Sequence, residues 1–131
     1  MIIDTNVAFR LVVNPTPGVE RFFRDEFIIA PHFLLIEMHN VLRKLHDFKG
    51  IPLEQILEFR DKSLQIIDAF YPDEKLLSKA FNLSLEINHP IYDCLFLALA
   101  GLLNQPLVSQ DKKLLKKCHK LQIKAINLKV I

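Results

Sequence analysis

Four carboxylates in this sequence stand in places where a carboxylate is awkward. Asp4 follows the apolar segment Met1-Ile2-Ile3. Asp111 comes just after Leu107-Val108-Ser109. Each precedes helical sequence, so each can be read as a plain helix N-cap. Glu37 lies among Leu34, Met38, Val41, Leu42 and Leu45, which recur at helical spacing. It is three residues after Leu34 and four before Val41, so its carboxylate projects within or beside the apolar stripe. Asp93 sits near the start of IYDCLFLALAGLL, residues 91 to 103, a segment apolar nearly all round. The helix dipole favours a charge there by only about 0.3–1 kcal/mol. Burying an unpaired carboxylate costs far more.

Taken singly, each acid has a structural explanation: a cap for Asp4, Asp93 and Asp111, a bond to a helix or an arginine for Glu37. Taken together they suggest a site. Converging carboxylates repel, and their pKa values rise until a cation neutralises them. All-oxygen ligands suit Mg²⁺ or Mn²⁺. Such clusters hold one or two ions for in-line attack on a phosphodiester.

These acids need a scaffold, and the pattern implies one. Residues 1–3, 27–30, 107–109 and 125–128 read as short strands without alternation, which parallel sheets buried on both faces require. Helices are expected at 5–13, 19–26, 31–48, 53–69, 74–87, 91–103 and 111 to about 120. Pro31 is read as opening the third helix. Leu53, Ile56, Leu57, Leu64 and Ile67 are read as the apolar side of the fourth, and Asp73 as the cap of the fifth. Strands separated by helices predict an α/β fold with helices on both sheet faces. Sites in such folds form at the carboxyl ends of strands, where Asp4 and Asp111 fall.

Composition is consistent with one domain spanning residues 1–131, with 50% apolar residues to build its core. No apolar run is long enough for a membrane span. Asp4, directly after the first three residues, argues against a signal peptide. Cys94 and Cys118 have no ligand-like spacing, which fits a reducing, cytoplasmic setting. Three glycines cannot build a GxGxxG or P-loop motif, and no HExxH, CxxC or GxSxG is present. The histidines, His39 and His46 included, read as surface or core-edge residues rather than zinc ligands. Net charge is +2, yet residues 112–131 hold seven lysines and no acid. That tail is either a solvated helix face or a nucleic-acid footprint.

The blocks MIIDTNV, EMHNVLRK, HPIYDCLFLALA and LVSQDKKLL resemble, in order and spacing, the signature blocks of PIN-domain ribonucleases, above all the VapC-type toxins of toxin–antitoxin pairs. The resemblance implies a three-layer PIN-like fold with a central parallel sheet of about four or five short strands. It implies that Asp4, Asp93 and Asp111 ligate Mg²⁺ or Mn²⁺, directly or through water, and that Glu37 binds a second ion or orients the attacking water. Ser109, Asn6 and Thr5 would support these acids. Arg10, Arg43, Lys112 and Lys113 would contact RNA. A homodimer and an antitoxin partner are implied as well. A structure-specific DNA nuclease and an inactive scaffold are the alternatives.

Overall fold

Strands buried on both faces need apolar residues throughout, and the short runs at the start and near the end of the chain supply them. The computed structural model describes residues 1–131. Five strands form one all-parallel sheet: β1 (Ile2–Ile3), β2 (Ile29–Pro31), β3 (Ala69–Tyr71), β4 (Leu107–Ser109) and β5 (Ala125–Asn127). Seven helices surround it: α1 (Thr5–Val13), α2 (Pro17–Phe23), α3 (Phe33–Lys49), α4 (Leu53–Gln65), α5 (Asp73–Ile87), α6 (Ile91–Leu103) and α7 (Lys112–Lys120). A 3-10 turn, Leu128–Val130, follows β5.

The strand order is β3-β2-β1-β4-β5. The chain winds outward on one side of β1, then returns to pair β4 against its other edge. In register, Ile2 faces Ile29 and Leu107, and Ile3 faces Val108. Strand order thus reverses beside β1, and a parallel sheet opens a crevice beyond its carboxyl edge at such a point. Asp4 and Ser109 lie at that edge. The core is one cluster of buried side chains that includes Ile2, Ile3, Leu107, Val108 and seven successive residues of α6, Cys94 to Ala100. Helix α6 is buried nearly all round, as its composition requires.

Several expectations need correction. Pro31 does not open a helix. It is the last residue of β2, paired with Tyr71, and α3 begins two residues later. The helix expected over 53–69 stops at Gln65, and Ala69–Tyr71 is a strand. Of the five apolar residues assigned to that helix's buried side, Leu53, Leu57 and Leu64 are exposed, and Ile67 is buried outside the helix. The second helix begins at Pro17 and ends at Phe23, earlier than expected. Asp73 lies in the first turn of α5 and does not cap it. Its carboxylate accepts the backbone N–H of Phe33 at 3.0 Å, and so caps the neighbouring α3. Helix α3 lacks a side-chain cap of its own, since His32 makes none.

Candidate active site

The first acid is fixed by the local rules of a strand running into a helix. Asp4 is the N-cap of α1, its Oδ1 accepting the Val7 N–H at 3.0 Å. Its other oxygen accepts the hydroxyl of Ser109, from the end of β4. Only 6% of Asp4 is exposed. Ser109 Oγ in turn accepts the Asp111 N–H at 3.0 Å, so one hydroxyl links the ends of two adjacent strands. Asp111 caps α7 through Oδ1, which takes the N–H groups of Lys113 and Leu114 at 2.9 and 3.3 Å.

The other two acids come from helices. Glu37, half-buried on α3, accepts the Thr5 hydroxyl at 2.6 Å on Oε1. Asp93, in the first turn of α6, has its Oδ2 2.6 Å from His89 Nε2. The four acids line one cleft of about 230 Å³ with Thr5, Asn6, Asn40, Val41, Lys44, Phe96 and Leu114. Asp4 and Asp111 thus both cap helices and line the same cleft.

The electrostatics follow from this crowding. Burial pushes the Asp4 carboxyl up to about 6, with the negative charges of Asp93 and Asp111 adding to the rise. The Ser109 and Val7 hydrogen bonds oppose it. Burial also raises Glu37, helped by Asp93 and opposed by the Thr5 hydroxyl. The ionised forms of Asp4 and Glu37 are thus disfavoured, chiefly by burial. Burial holds the thiols of Cys94 and Cys118 up at about 11, so neither is a thiolate nucleophile at neutral pH.

The donor chemistry fits a hard divalent cation: carboxylates with the Asn6 amide nearby, and no sulfur ligand. One oxygen each of Glu37, Asp93 and Asp111 has no protein hydrogen-bond donor. As placed, the side chains do not bring three of these acids around one point.

The expected supporting residues all take places here: Thr5 on Glu37, Ser109 on Asp4, and exposed Asn6 in the cleft wall. Arg10 and Lys113 line two further cavities that share residues with the cleft. Arg43 is instead ion-paired with Asp47 at 2.7 Å on the exposed side of α3, and neither it nor Lys112 lines a cavity. Sequence reasoning does not single out His89 as a site residue. Its signal is its place four residues before Asp93, although Pro90 breaks the helical pattern that would draw attention to it. Asn40, a turn of α3 beyond Glu37, escapes sequence reasoning as well.

A parallel α/β domain with an acid-lined cleft at its strand switch point defines the class of protein. A family model, PIN domain, matches residues 1–120, and the chain belongs to that family. PIN domains are in general nucleases. Among solved structures, the chain is similar to PAE2754 from Pyrobaculum aerophilum, with a TM-score of 0.74 and 17% identity, covering 98% of this chain and 89% of that one. It is also similar to VapBC2 from Rickettsia felis, solved bound to a DNA fragment from the promoter, with a TM-score of 0.68, 15% identity and 96% of each chain covered. At these identities the likeness is one of fold. No curated protein matches the sequence.

Proposed function

We propose that the protein is a Mg²⁺- or Mn²⁺-dependent endoribonuclease, and that it is the toxin of a type II toxin–antitoxin module. The observation that carries this reading is that Asp4, Glu37, Asp93 and Asp111, from four different elements, line one cleft at the switch point of a PIN-family sheet. Asp4, Asp93 and Asp111 would hold the ion, with Glu37 beside it. When bound, the ion supplies positive charge to the scissile phosphate. The chain's own groups do the rest. Ser109 and the Val7 N–H fix both oxygens of Asp4. His89 holds Asp93 by one oxygen and leaves the other without a protein partner. Thr5 anchors Glu37 through Oε1, which frees Oε2 to orient the attacking water. Well-placed supporting groups of this kind typically matter by about 10–100-fold.

The toxin assignment is supported by the fold shared with the VapBC2 structure, whose name pairs a toxin with its antitoxin. It also fits an apolar stripe on α5, where Leu77, Phe81 and Leu85 stand exposed at successive helical turns. Exposed apolar patches of this kind mark protein partners, and a second copy of the chain or an antitoxin would cover it. A cytoplasmic location fits the two free, buried cysteines. No helix is long and apolar enough to cross a membrane.

The test is cleavage of labelled single-stranded RNA with Mn²⁺ or Mg²⁺, repeated in EDTA. Activity that disappears with EDTA, and in Asp93→Asn with an unchanged circular dichroism spectrum, supports the reading. Cleavage that survives both rejects it. Mn²⁺ should also raise the melting temperature, because a ligand bound only by the folded state stabilises it.

A further inference from the structure

Two basic cavities adjoin the acidic cleft. One, of about 640 Å³, is lined by Lys113, Lys116, Lys117 and Lys120 with His89 and Asp93. The other, of about 560 Å³, is lined by Arg10 and Lys129 with Phe9, Thr16, Asn6 and Asp111. They share different walls with the cleft: Asp93 for the first, Asn6 and Asp111 for the second.

The four lysines of α7 fall at positions i, i+3, i+4 and i+7, so they crowd one helical face. Like charges at that spacing repel, and a fold keeps them there at a cost to its own stability. None of the four has a carboxylate within ion-pair distance. The only acid in the cavity, Asp93, is held by His89. Lys117 is committed otherwise: its Nζ donates to the Ile87 carbonyl, at the end of α5, at 3.0 Å. Lys113, Lys116 and Lys120 remain without a partner. Arg10 and Lys129 are likewise unpaired, although they come from opposite ends of the chain. Unpaired cations in two hollows, with an acidic cleft between, are arranged for an anion longer than a single phosphate.

We propose, resting on the ribonuclease reading above, that a single RNA strand crosses the acidic cleft with its backbone held on both sides. One phosphate lies in the hollow of Lys113, Lys116 and Lys120. Another lies in the hollow of Arg10 and Lys129. The phosphodiester between them faces the four acids. The flanking cations offset the repulsion between the acids and the strand, since backbone phosphates dominate nucleic-acid affinity. Lys117 is a positioning residue: it ties α7 to the end of α5, next to the turn that carries His89.

The experiment measures binding rather than cleavage. Asp4→Asn protein with Mg²⁺ is titrated with a labelled single-stranded oligoribonucleotide at several salt concentrations. Two double substitutions are added in turn, Lys116→Ala with Lys120→Ala, and Arg10→Ala with Lys129→Ala. A third, Lys49→Ala with Lys75→Ala, removes the same charge from exposed positions outside both hollows. Each hollow variant should bind more weakly, and the slope of log affinity against log salt should shrink by about 0.7 for every phosphate that is no longer neutralised. The Lys49/Lys75 variant should keep the parent slope. A deoxyribose strand of the same sequence should lose affinity in parallel. Equal slopes in all three variants would overturn the path and leave the nuclease reading standing. An effect confined to the ribose strand would also overturn it, because the cations would then not be meeting phosphate. Failure of the wild-type protein to cleave RNA with Mn²⁺, alongside variant-dependent slopes, would reject the ribonuclease reading alone.

Discussion

Asp4 and Asp111 occupy the same kind of position, yet they are in different physical states. Each follows a strand, each caps the next helix, and one serine hydroxyl touches both residues. Asp4 is buried with both oxygens engaged by the protein. Asp111 is half-exposed, with both of its hydrogen bonds on one oxygen and the other free. For a carboxylate at a strand end, capping a helix and lining a cleft are compatible. Capping fixes where a carboxylate points. Burial decides whether its charge is tolerated or waits for a cation.

Removing the charge from either acid should have the largest effect. Asp4→Asn and Asp111→Asn should each reduce RNA cleavage to background, measured on labelled RNA with Mn²⁺, while circular dichroism stays unchanged. Near-wild-type turnover in Asp111→Asn would make that residue a cap and nothing more.

Ser109→Ala removes the hydroxyl that connects the pair. The expected drop in kcat is about 10–100-fold, in line with other groups that orient metal ligands. Single-turnover kinetics would read it, and an unchanged rate would mean that Asp4 needs no orientation from β4.

Stability should move in opposite directions at the two junctions. Asp4 has its carboxyl raised from 3.8 to about 6 in the fold. The folded state therefore binds that proton more tightly than the unfolded chain. Its contribution is most favourable below about pH 4, declines as pH rises through 4 to 6, and is flat above. At pH 8 in EDTA the ionised Asp4 costs about 3 kcal/mol, at about 1.4 kcal/mol per pK unit. Asparagine caps as well as aspartate. Asp4→Asn should therefore be more stable than wild type at pH 8, with the gap closing towards pH 4. Urea melts across that range measure it, and a pH-independent difference would contradict the burial argument. Asp111→Ala, the smallest effect, should lose about 1 kcal/mol of cap stabilisation, read from urea melts at pH 8.

Legibility in the sequence tracks how far each signal depends on neighbours in the chain. Helix α6 can be bounded correctly because thirteen apolar-rich residues between His89-Pro90 and Asn104 admit little else. Helices α1 and α7 are placed by the acids that start them. The strand β3 escapes because Ala69-Phe70-Tyr71 follows α4 closely and continues its apolar content. Only pairing with β2 makes it a strand. Pro31 misleads for a related reason. A proline suits a helix start, but it also suits the last residue of a strand, and Tyr71 decides between them. Asp73 capping α3 rather than its own helix is an interaction across 40 residues, and no local rule contains it. The four acids are legible because each is out of place locally. Their partners are not: Thr5 with Glu37 and His89 with Asp93 are hydrogen bonds of the folded chain. The lysine tail is legible as charge, while its division between two hollows needs the path of α7 and of the final turn.

The bond between Ser109 and Asp4 spans 105 residues. Every strand pair in this sheet is parallel, so none can form by a local hairpin, and the central pairing of β1 with β4 waits for nearly the whole chain. Synthesis runs from the N-terminus onward, and a domain generally folds as a unit. A nascent chain thus carries Asp4 and Glu37 long before Asp111 exists, and cannot gather all four acids until the last strands emerge. The order of synthesis itself thus keeps the cleft unassembled until β4 and the start of α7 have emerged.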